Sequence, residues 1–186
     1  MKNIKNIIFS LIAISFVSCE SLVDGINENP NQISSENFEA GVLLLKGIQL
    51  ANTTVQVGHQ TRISSMWSGQ SVGSNLLYRS IYEYNISSEE SNAIWENAYF
   101  GVIKNARLLS EQTATDPKAR QYAGITKVIE AQALGTLASL FGDIPFSEIS
   151  SDVANPKFES QKSVLEGVQK LLDEAIADLE AGPASV

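Results

Sequence analysis

The side chains best suited to chemistry lie in a stretch rich in Gly, Ser and Asn between Gly58 and Tyr84. Trp67, Tyr78 and Tyr82 stand there with Gln70, Asn75 and Arg79. Aromatic rings stack on the apolar faces of sugars, while amide and guanidinium groups bond sugar hydroxyls. The segment therefore holds both kinds of group that a small-ligand site needs, and loops on a rigid scaffold are where binding residues concentrate. These six residues are the candidate ligand-binding set. The same rings can instead pack the loop against helices, as buried aromatics commonly do, or meet the rim of a protein partner.

Other chemistries find little support. His59 is the single histidine, with no carboxylate near it in sequence, so no metal site is expected. One histidine also leaves little room for a Ser-His-Asp triad. No nucleophile elbow is read at Gly69-Gln70-Ser71-Val72-Gly73. Glu89-Glu90 and Asp173-Glu174 belong to a helix start and a solvated face, without a buried partner for acid–base work. No catalytic residue, cofactor or enzyme activity is assigned.

Cys19, the only cysteine, has a different chemistry. Lys2 and Lys5 precede an apolar run from Ile7 to Val17, too short to span a hydrocarbon core of about 30 Å but ordinary for an export signal. Phe16 does not suit a standard cleavage site, whereas Phe16-Val17-Ser18-Cys19 resembles a bacterial lipobox. The expectation is a signal peptide over 1–18, lipid on Cys19, a turn-rich tether over 19–35 and a helical domain over 36–186. A chain with no intramolecular disulfide partner for its cysteine also loses a reactive thiol by acylation. The formal net charge is −8, and it becomes more negative once Lys2 and Lys5 leave with the signal. No basic stripe exists to neutralise phosphates, which excludes nucleic acid as a partner.

Helical periodicity positions these residues. A first helix starts near Ser35, where Phe38, Val42, Leu45, Ile48 and Val55 recur at three- and four-residue steps. Leu43, Leu44 and Leu50 widen that stripe, predicting a helix buried on most of its circumference. The segment Thr61–Trp67 reads as a helix end, followed by a long loop. Ser87-x-x-Glu90 reads as a capping box opening a second helix, with Ile94, Trp95, Ala98, Tyr99, Val102, Ala106 and Leu109 on its inner face. Asp116-Pro117 starts a third helix, alanine-rich and stopped at Gly142. Ser160 caps a fourth, ended by Gly182-Pro183. No convincing strand appears. The class is all-α, with helical hairpins in series suggesting a tetratricopeptide-like stack.

The order of segments carries a family likeness. After the lipobox and Asn29-Pro30-Asn31 come Trp95-x-x-x-Tyr99, Asn105-Ala106, then Phe141-Gly142-Asp143-Ile144-Pro145-Phe146-Ser147-Glu148, and last the helix with Leu171-Leu172-Asp173-Glu174-Ala175. The series resembles the N-terminal part of SusD/RagB-type lipoproteins of the Bacteroidetes. The resemblance implies a tetratricopeptide-like scaffold at the outer membrane, facing the cell exterior. It implies binding of an oligosaccharide or peptide ligand without catalysis, and delivery to a SusC-like TonB-dependent transporter. A lipid-anchored adaptor that organises such a complex without binding ligand is the alternative. Members are longer than this chain, so it is expected to represent an N-terminal part of such a protein.

Overall fold

The computed structural model describes residues 42–113, 119–149 and 153–181. The expected signal, Cys19, the tether, Asp116-Pro117 and Gly182-Pro183 lie outside these residues. Among the described residues the architecture is all-α. The order is α1 (Val42–Val57), α2 (His59–Trp67), α3 (Leu76–Tyr82), a 3-10 turn (Ser88–Ser91), α4 (Asn92–Glu96), a π-helical turn (Asn97–Ile103), α5 (Lys104–Thr113), α6 (Arg120–Phe141) and α7 (Gln161–Glu180). One short antiparallel pairing, β1 (Ile144–Pro145) with β2 (Phe158–Glu159), goes beyond what periodicity suggests.

Helix α6 is the centre of the bundle. Ala123, Gly124, Ala131, Ala133 and Ala138 are buried on it, and small residues let neighbours approach. A Cβ on Gly124 would stand 2.8 Å from Leu179 Cγ, so α7 is as close there as glycine permits. The two helices run antiparallel. Arg120 and Lys127 bond Asp178 near one end, and Gln161 reaches the Ala138 carbonyl at the other. On another side α1 lies parallel to α6, where Asn52 bonds Gln132 and Gln56 bonds Thr136. Ile48, Ala98, Val102, Ile103, Leu109, Leu134, Leu137 and Val164 fill the core between these helices. Each buried Leu, Ile or Val contributes about 1.5–3 kcal/mol, whereas a helical glycine costs about 1 kcal/mol. Packing therefore decides, and α6 remains one helix through Gly124 and Gly135.

Several boundaries follow the sequence. Gly142 takes φ +78°, a backbone conformation open to glycine, and its N–H closes on Ala138 at the end of α6. The Ser160 hydroxyl accepts from the Ser163 N–H and caps α7. Other expectations are corrected. Leu43 and Leu50 are each 71% exposed, so α1 buries a narrow stripe rather than most of its circumference. Ser87 precedes a 3-10 turn and makes no side-chain cap. The capping box fails because Glu90 is drawn to His59, with Nε2 2.5 Å from Oε2, and His59 does have a carboxylate partner. The glycine- and aromatic-rich stretch contains a helix of its own, α3.

Candidate functional site

Helices α2 and α3 hold most of the six candidate residues and have a small core of their own, Ile63, Met66 and Ile81. Gly69 at φ +74° ends α2, and the Gln70 N–H bonds Ser65 O, so Gln70 closes the helix with its backbone. The Asn75 side chain accepts from the Leu76 N–H at the start of α3. At the other end Tyr84 adopts φ +62°, with Tyr84 N–H on Ile81 O and Asn85 N–H on Ser80 O. This is the same two-bond closure that Gly69 makes, built on a tyrosine.

Trp67 donates its indole N–H to Ile81 O at 2.7 Å and stacks on Tyr84 with ring centroids 5.2 Å apart. It ties α2 to α3. Arg79 is exposed and pairs with Glu83 one turn on. Tyr82 packs by Gly73, where a Cβ would stand 2.9 Å from Tyr82 Cβ and would clash with Tyr78 O. Asn75 and Tyr78 line a concavity of about 290 Å³ with Arg62, Met66 and Ser71. Trp67, Gln70, Arg79 and Tyr82 do not line it.

Gly69 to Gly73 matches Gly-x-Ser-x-Gly in spacing, so spacing alone does not dismiss a nucleophile elbow. Its surroundings do. An elbow is a turn from strand to helix, and Ser71 instead follows the end of α2 with its hydroxyl 3.0 Å from Ser65 Oγ. Among the described residues no group of three or more His, Cys, Asp or Glu side chains is placed to hold a metal.

A larger groove, about 700 Å³, lies where periodicity pointed only to core. One wall is Asn92, Trp95, Glu96, Tyr99, Phe100 and Lys104, a single face running from α4 through the π-helical turn into α5. The other wall is the segment after β1, with Glu148, Ile149 and Val153. Trp95 and Tyr99 are half-buried rather than enclosed, and they stack at 5.0 Å. Trp95 also meets Phe141 and Phe158 at tilted angles. Phe100 is exposed beside them. Glu96 and Lys104, on the same face, put a carboxylate and an ammonium at this apolar floor.

Electrostatics fix the second wall. The Tyr99 hydroxyl donates to Pro145 O, and burial pushes its phenol well above the usual tyrosine range against the opposing charge of Arg107. Tyr99 thus stays a neutral donor. Glu148 accepts from the Lys157 N–H and pairs with its ammonium, which holds the carboxyl below its ordinary range. Ser147 does the same to Glu159 through hydrogen bonds. Arg107 spreads its fork over three acceptors: Glu130 at 2.8 Å, Ile149 O at 2.8 Å and Phe146 O at 3.0 Å. Phe146 in turn covers Gly167, where any Cβ would collide with its ring. Arg107, unremarked in the sequence, pins the loop wall to the bundle. Its only signal there is the Phe141–Glu148 phrase that it clasps.

The described residues form an α-helical scaffold with an aromatic-floored groove. The sequence profile of the SusD-like family, described as starch-binding and associating with the outer membrane, matches residues 30–185. The chain belongs to the SusD-like family. No curated protein matches the chain.

Proposed function

We propose that this chain is a cell-surface lipoprotein that binds glycan and passes it to a SusC-like TonB-dependent transporter. The family match over residues 30–185 carries the reading. The groove supports it, because Trp95, Tyr99 and Phe100 offer ring surface while Asn92, Glu96 and Lys104 offer hydroxyl partners. In this reading Cys19 carries the lipid and the protein faces outward. Among the described residues no helix is long and apolar enough to cross a membrane.

Titration calorimetry of the full chain with maltoheptaose, and with a wider glycan and peptide panel, tests the reading. Trp95→Ala and Phe100→Ala should each raise Kd about tenfold, a loss of about 1.4 kcal/mol. Silence of the unmutated chain across the panel sinks the binding claim.

A second reading, a lipid-anchored adaptor that binds no ligand, draws on a different surface. Leu76, Leu77, Tyr84 and Ile86 are exposed in and just after α3, large apolar side chains that a protein partner could cover. Transporter association with unchanged uptake in Trp95→Ala, and lost association in Leu77→Ser, favours the adaptor.

A further inference from the structure

The helix wall of the groove is not a plain α-helix. From Asn97 to Ile103 it widens to a π-helical turn, and the Lys104 N–H reaches back five residues to Tyr99 O. Such turns cost hydrogen-bond geometry and occur mostly as single insertions, often at functional sites. An inserted residue leaves a carbonyl without its α-helical donor, and a side chain or water must then meet it. Here a side chain answers. The Asn105 amide donates to Phe100 O at 2.9 Å and to Gly101 O at 3.1 Å. Upstream, Asn97 donates in the same way to Ala93 O at 2.8 Å. Gly101 sits within the turn where a Cβ would stand 2.8 Å from Ala51 Cβ, so the widened backbone rests directly on α1.

The turn lies between two parts of the groove. Before and within it, Trp95 stacks on Tyr99; after it, Arg107 clasps the loop wall. In an α-helix each residue rotates the chain by about 100°, so one residue more or less in this turn would swing the aromatic pair away from the clasped loop. The buried positions Ile94, Ala98, Val102 and Ala106 advance by four each time, as a wide turn requires to keep one face inward.

We propose that Asn105 is a positioning residue of the groove: its amide holds the wide turn that sets Trp95, Tyr99 and Phe100 opposite the loop wall. The affinity part of this inference rests on the glycan-binding reading above; the geometric part does not. The test is a pair of variants of the full chain, Asn105→Leu and Asn105→Ser, each followed by crystallography and by titration with maltoheptaose. Leucine fills the space without a donor. Serine keeps one donor able to bond the carbonyl four residues back. Asn105→Leu should close the turn to α-helical pairing, displace Phe100 and raise Kd at least tenfold, with Asn105→Ser in between. A wide turn that persists in both variants overturns the proposal, as does a closed turn with unchanged affinity. If the unmutated chain does not bind the glycan, the binding reading fails on that probe while the crystallographic comparison still decides the role of Asn105. Should Asn105→Leu not fold, Asn105→Ser alone decides, by the same displacement of Phe100.

Discussion

Tyr84 occupies a backbone conformation that favours glycine, since a left-handed residue with a Cβ costs about 1–2 kcal/mol. Its ring is returned to Trp67, and a stacked aromatic pair contributes about 0.5–1.5 kcal/mol beyond burial. The two effects are of similar size and opposite sign. Tyr84→Gly should therefore change stability by less than about 1 kcal/mol in urea unfolding. Trp67→Phe removes the bond to Ile81 O with no relief of strain and should cost about 1 kcal/mol or more. Equal losses for both would show that the strain is not there. At this scale the sequence is legible as chemistry but not as geometry. Trp67 and Asn75 stand out by type, yet Trp67 spends its indole donor on joining α2 to α3 and Asn75 its side-chain oxygen on opening α3, while Gln70 closes α2 with its backbone. Trp95 and Tyr99 read as core from their spacing, because periodicity reports which face a residue shares and not whether a second wall covers it.

Between elements, α6 and α7 are joined by a charged cluster. Burial disfavours the Asp178 charge, but hydrogen bonds from Lys127 and Arg120 outweigh it and hold the carboxyl below its ordinary range. Burial likewise pulls Lys127 down, and bonds to Asp178 and Glu174 outweigh that and raise it. A depressed carboxyl contributes stability that is present in full above its unfolded value, about 3.9, and is lost as pH falls through the folded one. Asp178→Asn should thus cost roughly 2 kcal/mol at pH 7. The gap from the unmutated chain should narrow below about pH 4, once the unfolded carboxyl takes up its proton. Urea midpoints between pH 7 and 3 check this, and a gap that stays constant contradicts it. Glu130 works against the trend, since burial raises its carboxyl despite Arg107. Long helices and their stops are legible in the sequence, because Gly142 and Ser160 act locally. Helix α3 is not, because seven residues give barely two turns of period and it lies inside a stretch dense in turn-forming residues. The capping box fails for a related reason, as Glu90 has a partner thirty-one positions back in His59.

At the scale of the molecule, the described residues form two cores: the large one around α6 and the small one of Ile63, Met66 and Ile81. Units with few buried apolar contacts open ahead of global unfolding. Helices α2 and α3 should exchange amide hydrogens well before α6, read by native-state hydrogen exchange; equal protection of both units would refute separate cores. The all-α class and the order of the long helices follow from periodicity. The groove does not, since its walls meet only in the folded chain.

That separation along the chain has a consequence for how the protein comes into being. The helix wall, Asn92 to Lys104, is made first; the loop wall after β1 follows only when α6 has been threaded between them, and Arg107 can grip Phe146 and Ile149 only then. Helix content during synthesis therefore runs ahead of any capacity to hold a ligand. A nascent chain stopped within α6 has the whole helical segment that bears Trp95, Tyr99 and Phe100 but lacks the loop wall that faces them.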